Sequence, residues 1–163
     1  MTGPLLFGDV MHIVDAHPLD FYPDEETGDE GNDALVLIDK ARAFLARAET
    51  LPEIGHARAV AERAREWAQR AKLGRAAENH AARIRIEAER KAGELLSEMD
   101  RERGGRPKPS DESMVSRPRP VDLGVSAQQS SDWQRMANVP DEDFEAHVQE
   151  VQRKGDALTT KGV

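Results

Sequence analysis

RAAENHAARIRIEAERKAGELLSEMDRERGG, residues 75–105, is a long charged stretch with small apolar residues at regular intervals and two glycines at its end. Ala77, Ala81, Ile84, Ala88, Ala92, Leu95 and Met99 recur at spacings of three and four, which places them on one face of a helix running from Arg75 to Arg103. Gly104-Gly105 stops that helix, and Pro107 and Pro109 prevent its resumption. A seam made mostly of alanine lets another helix approach closely but buries little apolar area per contact. The helix therefore needs partners on either side in the chain.

Toward the N-terminus, Gly74 breaks the pattern, and a second helix carries Ile54, Ala57, Ala61, Ala64, Ala68 and Ala71 at alternating spacings of three and four, with Trp67 as its one large anchor. A first helix, capped by Asp33, places Leu37, Ala41, Phe44 and Ala48 on one face and ends near Thr50, before Pro52. Three amphipathic helices joined by short turns predict an all-α protein with an antiparallel, coiled-coil-like body over 33–103. The thin alanine seams predict that this body self-associates as a homodimer.

Beyond the glycines, residues 104–120, GGRPKPSDESMVSRPRP, have the composition of a linker with basic positions such as Arg106 and Lys108. A small module follows over 121–154. In LGVSAQQSSDWQRMANVP, residues 123–140, Ser126 is a good N-cap for a helix from Ala127 to Asn138. Pro140 fits the first turn of a further helix, DEDFEAHVQEVQRK, with Asp141, Glu142 and Asp143 at its start and Arg153 and Lys154 at its end before Gly155. The tail over 155–163 is expected to fray.

Leu123 to Ser126 resemble the turn and cap of a helix-turn-helix, and Ser130-Ser131-Asp132-Trp133 resemble the middle of its recognition helix. The resemblance implies Val125 and Trp133 packed inward, with Gln128, Gln129, Ser131 and Arg135 facing a groove of double-stranded DNA. Gln pairs with adenine and Arg with guanine there, while Arg106 and Lys108 would lie on the phosphate backbone. The pattern departs from the motif in two places. Pro118 and Pro120 cut its first helix to a turn, and Asp132 sets a carboxylate where phosphate would be repelled.

Composition bounds the function. The 163 residues are 33% charged and 4% aromatic, contain no cysteine, and carry a net charge of −8. Residues 1–33 hold nine acids and no Lys or Arg, whereas 39–106 hold sixteen Lys/Arg against twelve Asp/Glu. An acidic arm over 1–32, expected to be disordered, therefore precedes a mildly basic helical body, where it promotes solubility or competes with phosphate. Arg83, Arg85, Arg90, Lys91, Arg101 and Arg103 are candidate phosphate contacts, or i,i+4 partners of Glu87, Glu89, Glu94 and Glu102.

His12 and His17, with Asp15 and Asp20 nearby, have metal-capable side chains, but nothing in their spacing fixes a coordination geometry, and no metal is expected. His56, His80 and His147 fall on three different helices without a nucleophile, the acids of EAER and DEDFE face solvent, and no glycine loop cradles phosphate. These features predict a non-enzyme without a cofactor. No signal peptide or membrane span is legible, so the expected location is the cytoplasm.

A broader resemblance covers about 34–154. Gly93, Glu94, Leu95 and Leu96, then Gly104 to Pro107, then Gln129, Ser130, Ser131, Trp133, Gln134, Pro140, Phe144 and Glu145 resemble, in wording and order, a family of small proteins from phages, prophages and plasmids. It implies a mobile-element protein working around DNA. The sequence thus predicts a dimeric, non-catalytic DNA-binding accessory or regulatory protein. The alternative is a helical adaptor or inhibitor that binds a phage or host protein through an apolar patch of Trp133, Met136 and Phe144, or uses the acidic arm to imitate DNA.

Overall fold

The computed structural model describes residues 30–103 and 119–163, apart from the side chains at positions 30, 102 and 103. The described residues form five helices, α1 (Glu30–Arg47), α2 (Leu51–Arg70), α3 (Arg75–Arg103), α4 (Ala127–Ala137) and α5 (Asp141–Lys154), with 3-10 turns at Pro120–Leu123 and Thr160–Gly162 and no strand. The chain is all-α, as its periodicities predict.

The corners between the first three helices follow from local chemistry. Thr50 caps α2: its hydroxyl accepts from the Glu53 N–H at 3.4 Å, while the Glu53 carboxylate accepts from the N–H groups of Glu49 at 2.8 Å and Thr50 at 3.0 Å. Those donors, Glu49 first, hold the Glu53 carboxyl below its usual range. Pro52 lies in the first turn, where its missing N–H costs nothing. The same short stretch that ends α1 therefore starts α2. Gly74, at φ +89°, turns the chain from α2 into α3. At the other end α1 begins at Glu30, so Asp33 lies inside its first turn, near the positive end of the helix dipole, instead of capping it.

Ion pairs record how the helices run. Arg58 pairs with Glu89 at 2.7 Å and Glu62 with Arg85 at 3.1 Å, so rising positions in α2 meet falling positions in α3. The two are antiparallel. One apolar cluster joins Ala34, Leu37, Ile38 and Ala41 of α1, Val60, Ala61, Ala64, Trp67 and Ala68 of α2, and Ala81 and Ile84 of α3.

The second cluster departs from the modular reading. Ala48, Leu51 and Ile54 at the α1–α2 corner and Ala82, Ile86, Ala88, Ala92 and Leu96 of α3 share one core with Val125, Trp133, Met136, Phe144, Val148 and Leu158. The segment after residue 119 is thus packed onto α3 and is not a separate tethered module. It supplies the large apolar side chains that the alanine seams lack. Residues 1–29 and 104–118, most of the arm expected over 1–32 and most of the linker expected over 104–120, lie outside the described residues, and residues 30–32 of that arm belong to α1.

The tail is also placed differently from expectation. Gly155 ends α5 in the left-handed conformation, φ +71°, and the chain returns to α3. The Asn79 side chain, 4% exposed, donates to the Asp156 carbonyl and accepts from the Leu158 N–H, both at 2.8 Å, and Leu158 is buried. A fixed strap replaces the frayed end because both of its backbone polar groups are paired there.

Candidate nucleic-acid interface

The polar face expected to read DNA lies on α4, whose position follows from its two ends and one close contact. Gly124, at φ +77°, closes the 3-10 turn before it. Ser126 then caps the helix: its hydroxyl accepts from the Gln129 N–H at 3.1 Å, and the Gln129 side chain accepts from the Ser126 N–H at 3.0 Å. Gly93 of α3 meets the backbone of Trp133, so the two helices touch main chain to side-chain-free main chain. Arg90 completes the C-terminal end. Its guanidinium donates to the carbonyls of Met136 at 3.3 Å and Val139 at 2.7 Å and to Asp141 at 2.7 Å, and lies 4.6 Å from the Phe144 ring centroid.

This placement sorts the candidate residues. Gln128, Ser131 and Arg135 are exposed on the outer face of α4. Gln129 is half-buried and committed to the cap. Asp132 gathers the two candidate readers beside it: Gln128 donates to both carboxylate oxygens at 3.0 Å, and Arg135 forms an ion pair with it. The Gln128 amide first, and then Arg135, hold the Asp132 carboxyl below its ordinary value, so it stays ionised. Arg106 and Lys108 lie outside the described residues.

Trp133, Met136 and Phe144 are core residues and not an exposed anchor patch, at 9%, 5% and 2% exposure. The reason is the second face of α3, which they cover. Arg58 of α2 adds to this joint by pairing with the buried Glu89 while lying 5.5 Å from the Trp133 ring centroid.

Three arginines of α3 are drawn inward as well, whereas Arg101 stays exposed. Arg83 pairs with Glu87 at 2.7 Å and with Glu145 of α5. Arg85 reaches Glu62 and the Thr160 hydroxyl, the latter at 2.6 Å, and lies 3.9 Å from Glu89. Arg90 holds the α4–α5 corner as described. Three candidate phosphate contacts thus act as internal braces. Residues 119–163 carry five Lys/Arg against eight Asp/Glu, a net −3, so this segment by itself does not attract polyanions from a distance.

Sequence reasoning missed the surface that α3 turns to the C-terminal segment. Asn79, Ala82, Ile86, Glu89, Gly93 and Leu96 are all buried and are spaced three, four, three, four and three, a second seam beside the expected one. The spacing was there to find. Asparagine, glutamate and glycine interrupt its apolar character, so a hydrophobic count passes over it.

Among the described residues, no group of three or more His, Asp or Glu side chains is placed to hold a metal ion, and no helix is long and apolar enough to cross a membrane. The pair His12 and His17 lies outside them. In comparisons with protein-family models, curated proteins and solved structures, the chain has no match.

Proposed function

We propose that the protein is a non-catalytic DNA-binding accessory or regulatory protein that presents the outer face of α4 to duplex DNA. One observation carries this reading: α4 buries Trp133 and Met136 while keeping Gln128, Ser131 and Arg135 exposed on a helix capped at one end and braced at the other. Side chains that can hydrogen-bond base edges are then held on a rigid element, the arrangement that groove recognition requires. The resemblance to small phage and plasmid proteins supplies the context, a mobile element.

Electrostatics shape the proposal. Asp132 must yield Gln128 and Arg135 before either contacts a base, and the surrounding charge is negative. Binding through one such face is weak and sensitive to salt. The adaptor alternative loses its anchor patch, since Trp133, Met136 and Phe144 are used to build the core.

The test is selection of bound fragments from a random duplex pool at near-physiological salt, with Gln128→Ala/Arg135→Ala as control. An enriched motif that disappears in the control supports readout by α4. No enrichment by a protein shown to be folded by circular dichroism refutes it.

A further inference from the structure

The C-terminal strap is fixed at alternate residues. Asn79 holds the backbone at Asp156 and Leu158, and Leu158 fills the core. The Thr160 hydroxyl accepts from Arg85 at 2.6 Å and donates to Glu89 at 3.5 Å. A Cβ at Gly162 would lie 2.9 Å from two atoms of the His147 ring, so the strap also presses against α5. Lys161, between two of these anchors, is exposed and pairs with no carboxylate among the described residues.

This strap forms one wall of an open cleft of ≈ 490 Å³ whose other wall is α4. The lining is Asp132, Arg135, Met136, Thr160, Lys161 and Val163. Two cations from separate elements thus share a concavity with the Asp132 side chain, over an apolar floor from Met136 and Val163. Among the described residues Lys161 has no carboxylate partner, and Arg135 is held by the half-buried Asp132, a partner that an incoming anion can displace. The cleft is built by buried contacts remote from its mouth, so its cations are brought together before any ligand arrives.

We infer that this cleft binds a phosphate group, as monoester or diester, with Arg135 and Lys161 as its cationic contacts. Arg135 supplies a planar fork for two phosphate oxygens, and Lys161 supplies a mobile point charge. If the phosphate belongs to a nucleic-acid backbone, the strap adds a register-setting contact beside the α4 face; that source rests on the DNA-binding reading above. A free phosphorylated ligand does not.

The experiment is amide NMR on the full chain, titrated separately with inorganic phosphate, with sodium chloride at matched ionic strength, and with a short duplex. The expected result is that phosphate, but not chloride, shifts the amides of Thr160, Lys161 and Arg135, and that Lys161→Ala, an exposed substitution, loses most of the response with an unchanged helical spectrum. Shifts at the same amides with duplex assign a nucleic-acid source. A response to phosphate without one to duplex upholds the cleft, assigns a free ligand, and counts against the DNA reading. No response to phosphate beyond that to chloride, or a response that Lys161→Ala leaves intact, overturns the inference.

Discussion

Gly93 in α3 lies directly against the backbone carbonyl of Trp133 in α4, with no room for a Cβ between the two helices. Gly55, in the interior of α2, has nothing within 4 Å of where its Cβ would be. The same substitution is therefore expected to act oppositely at the two sites. Gly55→Ala should stabilise by up to ~1 kcal/mol through helix propensity. Gly93→Ala gains the same propensity but must push two backbones apart, for a net loss of about 2 kcal/mol. Urea unfolding of both variants checks this, and a stabilising Gly93→Ala would show that α4 is not packed at this point.

Asn79 ties the strap to α3 through two backbone bonds. Asn79→Ala leaves a buried N–H and a carbonyl without their partner, and should cost about 2 kcal/mol. The loss should be local at first. Hydrogen exchange at Leu158 is expected to accelerate well before exchange at the amides of α2, and unchanged protection of Leu158 would contradict the clamp.

The Asp132 carboxylate restrains both candidate readers. Asp132→Asn removes a negative charge from the outer face of α4 and releases Arg135, so duplex affinity should rise by roughly an order of magnitude at low salt, with a salt dependence steeper by about one phosphate contact. Fluorescence anisotropy at several salt concentrations measures both. Affinity that is unchanged or falls would mean that DNA does not approach this face.

His80 faces Arg42 of α1, with Asp39, Arg83 and Glu87 also within its field. Burial first, and then the Arg42 charge, lower its pKa below the ordinary value of 6.5. The unfolded chain therefore binds a proton more readily than the folded one. This contribution to stability is present above that value and is lost as pH falls through it toward the folded-state pKa. His80→Gln keeps an acceptor for Arg42 without titrating. Between about pH 7.5 and about pH 5.5, the parent should lose more of its urea midpoint than the variant. Equal losses would remove His80 as the cause.

Much of the fold was legible locally. The seam from Ala77 to Met99, the Gly74 break, the Ser126 cap and the αL glycine after α5 each follow from a few neighbouring residues, because helix periodicity and capping are short-range effects. The outward placement of Gln128, Ser131 and Arg135 was legible for the same reason: Trp133 and Met136 define the inner face of α4. The engagement of those readers by Asp132 was not, since carboxylate proximity was read only as repulsion toward phosphate and not as a competing hydrogen-bond partner.

What the sequence by itself determined is the helical register: which residues form each helix, where most of them begin and end, and which side of α4 is apolar, although α1 starts at Glu30, ahead of the Asp33 expected to cap it. Only the tertiary structure decided that α3 is buried on two faces. Its second seam contains Asn79, Glu89 and Gly93, residues whose burial is favourable only because distant partners meet them: the Leu158 backbone, the Arg58 guanidinium and the Trp133 main chain. Whether a polar residue or a glycine belongs to a core depends on what is brought against it, and that information is not in its own helix.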